Sequence, residues 1–249
     1  MTELLLQDGL YFLITFVLAT LFAMGGVGSA VALVPVLSML GMPLNLAKAI
    51  GLFVNSASTI TASVMNFRRG VLDVRFTLPL ILSVTLATPV GAALSRYVPV
   101  HIVQWLLVAF LIVSAGLLIF RKREAKVVYN RVWIMLLLGA SVGIVSGLIG
   151  VGGGMPILAV LILLGFEPKK VAYAVSFVIP FSTLAGFFTY LSFVHMDWLL
   201  LGVVSIAAIL GGYLGGRIMH YRLDAAQVKK LIAGLLLLLA VKMIWSLLP

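Results

Sequence analysis

Two glycine clusters hold the chemically distinctive residues of this sequence: Gly25-Gly26-Val27-Gly28-Ser29 and Gly150-Val151-Gly152-Gly153-Gly154-Met155-Pro156. Each stands between a helix-length apolar run and a shorter one. Glycine permits the backbone angles of a helix break. Pro156 falls early in the short run, where a missing N–H costs least. A helix restarting at Ser29 or Met155 aims unpaired N–H groups and a partial positive charge at the break, a ready site for an anion. The next run of each half carries a polar lining. Residues 47–66 hold Asn55, Ser56, Ser58, Thr59, Thr61, Ser63 and Asn66, and Asn55, Thr59 and Asn66 share one helical face. Residues 171–193 hold Ser176, Thr183 and Tyr190 at intervals of seven, with Pro180 at the position matching Asn55. Neutral hydroxyl and amide donors suit an oxyanion that must also be released. Backbone N–H groups of Gly25, Gly26, Gly28, Ser29, Gly150, Gly152, Gly153 and Gly154 are therefore the expected donors, and Asn55, Ser58, Thr59, Ser176 and Thr183 the expected lining.

A plainer reading exists for both features. Glycines let membrane helices pack closely, and Gly143/Gly147 and Gly212/Gly216 are GxxxG pairs of that kind. Serine and threonine in such helices often only bridge neighbours, at about 0.6 kcal/mol each. Two clusters at matching places in two halves favour the binding reading.

The missing chemistry narrows the function. There are no cysteines, so thiolate nucleophiles, disulfides and thiolate metal sites are excluded. The seven carboxylates, Glu3, Asp8, Asp73, Glu124, Glu167, Asp197 and Asp224, fall at or beyond the ends of apolar runs. Acids inside a membrane mark proton relays and cation paths, so a cation carrier and carboxylate catalysis are disfavoured. His101, His195 and His220 are not at ligand spacing. No phosphate-binding GxxxxGK[ST] loop is present. The expectation is a non-enzyme with no cofactor. Lys48 opens the polar run near one face, where it attracts an anion or snorkels to the interface.

The elements that position these residues follow from composition. Of the 249 residues, 63% are hydrophobic and only 10% charged, against roughly half and a quarter in a soluble domain. This predicts an all-α polytopic membrane protein. Apolar runs fall near 9–24, 29–40, 47–66, 75–95, 100–120, 131–149, 155–165, 171–193, 197–218 and 225–247. The acidic start, with Glu3 and Asp8 and no basic residue before Lys48, predicts that the first run is retained rather than cleaved as a signal. Two halves align: Gly25 with Gly150, Gly28 with Gly153, Pro43 with Pro168, Ala47 with Ala172, then Asp73 with Asp197 and Gly91 with Gly215. The domains predicted are a first transmembrane repeat, 1–121, a cytoplasmic linker, 122–130, and a second repeat, 131–249.

Charge decides their relative orientation. If each glycine-broken pair is a re-entrant hairpin, each repeat has an odd number of spans and the second is upside down. The cytoplasmic face then collects fourteen of the 17 Lys and Arg, leaving only Lys48, Arg96 and Lys242 outside. If each pair crosses fully, the repeats are parallel and the 17 split nine to eight. The positive-inside rule selects inverted repeats with both termini extracytoplasmic. The net charge of +10 is thus membrane topology rather than a nucleic-acid surface. Trp105, Trp133, Trp198 and Trp245 lie near run ends, where indoles favour the interface.

The order of glycine break, short run and Pro turn, twice over, resembles the TauE/SafE sulfite exporter family, also called the toluene sulfonate uptake permease family. The likeness rests on Gly25-Gly26-Val27-Gly28, Lys48-Ala49-Ile50-Gly51, the run from Gly147 to Gly154 with Pro156-Ile157-Leu158, and Asp197-Trp198. The first motif departs from the pattern, with Ser29 where a third glycine is expected. The resemblance implies transport of a small sulfur-containing or related organic anion such as sulfite, a sulfonate or sulfoacetate, across the bacterial inner membrane. The expected mechanism is a secondary carrier in which one half rocks against the other around a midplane anion site. The alternatives are an anion channel of the same fold and a non-transporting membrane scaffold. A coupling ion (proton or sodium) and a homo-oligomer are compatible with this reading.

Overall fold

A computed structural model describes residues 2–24, 28–68, 70, 74–119, 131–221 and 225–248. These form ten α-helices: α1 (Thr2–Met24), α2 (Ala30–Met39), α3 (Leu44–Arg68), α4 (Val74–Leu94), α5 (Val100–Ile119), α6 (Val132–Ile149), α7 (Gly154–Leu163), α8 (Pro168–Leu191), α9 (Trp198–Tyr221) and α10 (Ala225–Leu247). Among the described residues there is no strand. The linker 122–130 lies outside them. Every apolar run became one helix, because in lipid a helix satisfies its own N–H and C=O groups. Helices α4 and α8 continue through Pro79 and Pro89 and through Pro180.

Among the described residues, six helices are long and apolar enough to cross a membrane: Val74–Leu94, Val100–Ile119, Val132–Ile149, Lys170–Leu191, Trp198–Ile218 and Lys230–Leu247. Helix α6 joins the group, although its run was expected as half of a re-entrant pair. Helix α3 stands outside the six, although its run was expected to span. Its 25 residues reach about 37 Å, but they include a buried polar set, Asn55, Ser56, Ser58, Thr59 and Ser63. The outer surface is apolar: Leu86 is 74% exposed and Trp245 81%. All four tryptophans are exposed.

Each half repeats the order long, ten-residue, long, long, long, with α2 and α7 as the short members. Contacts between halves are reciprocal. Helix α1 packs on α9 and α4 on α6, while α3 packs on α8 and α5 on α10. The first two pairings run parallel and rest on glycine. A Cβ at Gly139, Gly143 or Gly147 of α6 would strike successive turns of α4, at Ser83, Ala87 and Thr88. One at Gly211 or Gly215 of α9 would strike α1 at Phe16 and Thr20. The close-packing pair on α9 is thus Gly211/Gly215. The expected Gly212/Gly216 pair faces elsewhere: Gly212 lies against Ser58, and Gly216 has nothing within 4 Å. One residue turns a helix by about 100°, so the neighbouring GxxxG register points away from α1. Helices α3 and α8 run antiparallel, since Ser56 meets Thr183 and Ser63 meets Ser176.

Candidate functional site

The α3–α8 seam is built from hydroxyls. Ser56 Oγ and Thr183 Oγ1 share a hydrogen bond of 2.7 Å. Ser63 Oγ donates to the Ser176 carbonyl at 2.7 Å, and Asn66 Nδ2 donates to Ser176 Oγ at 3.1 Å. Ser63 answers a local need. Within α8 the Ser176 carbonyl would accept from the N–H four residues on, but that residue is Pro180, which has none. The serine of α3 supplies the missing donor, so proline and polar seam are parts of one device.

Both helix breaks close on this seam near the middle of α3. Gly150 ends α6 in the left-handed region, φ 75°, and its N–H donates to the Ser146 carbonyl at 2.8 Å. Gly152 follows at φ 71°, and Gly153 precedes α7. A Cβ on Gly152 would lie 2.7 Å from Asn55 Nδ2 and 2.9 Å from Thr183 Cγ2. From the other break, a Cβ on Gly28 would overlap the Asn55 amide. One asparagine is therefore held between two glycines more than 120 residues apart in sequence. Asn55 is 1% exposed, and its Oδ1 has no partner among the described residues; the Ser29 hydroxyl beside the first break is likewise buried and unpartnered. Rotation of the amide exchanges oxygen for NH2 at the same place, so Asn55 presents an acceptor or a donor.

The predicted residues therefore divide. Gly28, Asn55, Gly152 and Thr183 meet. Gly25 and Gly26 lie outside the described residues. The Cβ positions of Gly153 and Gly154 face Val142 and Ile179, and that of Gly150 faces Lys48, rather than Asn55. Ser58 donates to the Asn55 carbonyl at 3.1 Å and lies beside Gly212 of α9, and Thr59 donates to the same carbonyl at 2.6 Å. Ser176 sits two turns along α8 from Thr183.

Sequence reasoning did not single out Ser95, and it left Lys48 between attracting an anion and snorkelling. Ser56 was visible as one hydroxyl among several. Lys48 neither reaches lipid headgroups nor snorkels: it is 1% exposed, with Nζ donating to Ser95 Oγ at 2.7 Å and Asn45 Oδ1 at 3.3 Å. Among the described residues no three His, Cys, Asp or Glu gather to hold a metal ion.

Long apolar helices, with glycine breaks beside a buried polar seam, define an α-helical, multi-pass membrane protein. Residues 11–243 match the family described as Sulfite exporter TauE/SafE, and the chain belongs to that family. It is similar to the probable membrane transporter protein YdhB of Bacillus subtilis (strain 168), 24% identical over 246 residues, covering 92% of this chain and 99% of the relative. It is also similar to the probable membrane transporter protein YunE of the same organism, 35% identical over 78 residues, covering 31% of this chain and 27% of that protein.

Proposed function

We propose that this chain is a secondary carrier for a small sulfur-containing or related organic anion, such as sulfite, a sulfonate or sulfoacetate. The anion binds where Gly28 and Gly152 approach Asn55 and Thr183. The observation that carries the reading is the convergence of both breaks on Asn55 near the middle of α3. Broken helices meeting at the membrane midplane offer N–H groups that no intrahelical carbonyl occupies. A single added methyl does not fit between Gly152 and Asn55 without something shifting. Anion entry therefore requires the breaks to part, which is the behaviour of a carrier with alternating access rather than of a standing pore.

In the same proposal the two repeats are inverted, both termini are extracytoplasmic, and the protein sits in the bacterial inner membrane. The antiparallel α3–α8 pair and the parallel α1–α9 and α4–α6 pairs support this. If α1 and α9 point one way and α4 and α6 the other, equivalent helices of the two repeats are opposed throughout. That orientation also gathers most of the basic residues on one side.

The test is a thermal-shift series on detergent-solubilised protein with sulfite, sulfate, thiosulfate, taurine, sulfoacetate and carboxylate controls. An anion at 100 times its Kd adds about 2.7 kcal/mol to the folded state, so a true substrate raises the midpoint while controls do not. Proteoliposomes then show saturable uptake with counterflow exchange. Equal response to every anion, or flux without saturation or exchange, defeats the proposal.

A further inference from the structure

Among the described residues Lys48 is the most fully enclosed cation. It lies in the second turn of α3, 1% exposed. An ammonium has three hydrogens to donate, and among the described residues its hydrogen bonds go to two neutral oxygens, Ser95 Oγ at 2.7 Å and Asn45 Oδ1 at 3.3 Å. Ser95 in turn donates to Asn45 Oδ1 at 3.3 Å. The Tyr190 ring centroid lies 5.8 Å from Nζ, a cation–π contact. The nearby carbonyls at the end of α6 are already taken, because Tyr190 donates its hydroxyl to Gly147 O at 2.9 Å and Leu148 O at 3.3 Å. Of the described carboxylates, Asp197 caps α9 at the backbone N–H groups of Leu199 and Leu200. Burying an ammonium without an opposite charge costs several kcal/mol. Neutral partners recover only part of that. An anion seated beside Nζ would supply the missing opposite charge.

The position fits one. Gly150 leaves bare the space into which the Lys48 stem packs, so the ammonium is attached to the second break. Lys48 and Asn55 are two helical turns apart on one face of α3, about 10 Å along the axis. Beyond Ser95, Arg96 is exposed at the surface, with Cζ 4.9 Å from the Phe193 ring centroid. An exposed guanidinium, a buried ammonium and a midplane amide thus follow in sequence from one face inward.

We propose that Lys48, held by Ser95 and Asn45, is a second anion-binding station of the carrier, supplying the fixed counter-charge that attracts a small oxyanion toward Asn55. This rests on the anion-carrier reading above. A charge-assisted hydrogen bond outweighs a neutral one by about twofold, so the station sets affinity for charge while the Asn55 site meets the substrate's shape.

The experiment uses the full chain with sulfite as probe. Lys48→Met keeps the length of the side chain and removes the charge. Ser95→Asp keeps the lysine and gives it a permanent internal carboxylate. Both are expected to fold with an unliganded midpoint at or above that of the wild type, since each relieves an unpaired buried charge. Both are expected to weaken sulfite-induced stabilisation and raise KM for uptake about 10- to 100-fold, while Lys48→Arg retains most of both. A merely structural lysine gives the opposite pattern: a lower unliganded midpoint in Lys48→Met and an unchanged response in Ser95→Asp. If either variant binds sulfite as the wild type does, the station is wrong. If the wild type itself responds to no anion, the carrier reading fails instead, and the two failures are separable.

Discussion

Gly152→Ala tests the site most directly, because its cost separates into two parts. Gly152 has φ 71°, and an L-residue held in the left-handed region costs about 1–2 kcal/mol. The new methyl would also sit 2.7 Å from Asn55 Nδ2 and 2.9 Å from Thr183 Cγ2, and overpacking of that order costs about 1–3 kcal/mol. Gly70 provides the control. Its φ is 67°, and a Cβ there meets nothing within 4 Å, so Gly70→Ala carries the backbone strain alone. Reversible denaturant titration in micelles should show Gly70→Ala losing about 1–2 kcal/mol and Gly152→Ala a further 1–3 kcal/mol, roughly. Adding Asn55→Ala to Gly152→Ala should recover the part of the steric cost that comes from Asn55 and leave the Thr183 contact and the backbone strain. In proteoliposomes Gly152→Ala should cut sulfite uptake at least about tenfold, the factor that 1.4 kcal/mol in a barrier produces, with Gly70→Ala near the wild-type rate. If Gly152→Ala is no less stable than Gly70→Ala and transports normally, the convergence of the breaks on Asn55 has no functional meaning.

The hydroxyl seam and the membrane orientation yield two more predictions. Ser63→Ala should cost about 0.6–2 kcal/mol by leaving the Ser176 carbonyl unpaired. In a Pro180→Ala background the restored N–H fills that carbonyl, so the same change should cost under about 0.5 kcal/mol; equal costs in both backgrounds would break the link between serine and proline. Because the chain has no cysteine, single cysteines at Thr2, Lys126 and Leu248 can be labelled with an impermeant maleimide in intact cells. Thr2→Cys and Leu248→Cys should react from outside and Lys126→Cys only after permeabilisation. Labelling of Lys126→Cys in intact cells would reverse the orientation.

The helices were legible because lipid allows little else: the run 100–120 became Val100–Ile119 and the run 131–149 became Val132–Ile149. The polar seam was legible too, since Asn55 and Asn66 on one side and Ser176 and Thr183 on the other stand out against apolar neighbours. Facing was harder to read. Adjacent GxxxG registers in Gly211-Gly212 and Gly215-Gly216 are indistinguishable in sequence, and only packing on α1 selects the first. The same holds within the second glycine cluster, where Gly152 faces Asn55 but Gly153 faces Val142. The fate of Lys48 depended on Ser95, a residue 47 positions away. A charge near a helix end normally predicts solvent or headgroups, and tertiary contact overrode that default.

The exchange of first helices between the halves has a mechanical consequence. With α1 seated on α9 and α4 on α6 through glycines too close for any side chain, the rocking of one half against the other expected from the sequence would tear backbone-to-backbone contacts. Whatever tilts during turnover must be composed of helices drawn from both stretches of chain, and the lines of slip must pass elsewhere, along less tightly joined seams. A protein severed between residues 121 and 131 would accordingly be reassembled only by fragments able to interleave, and each fragment alone would expose its glycine grooves to lipid.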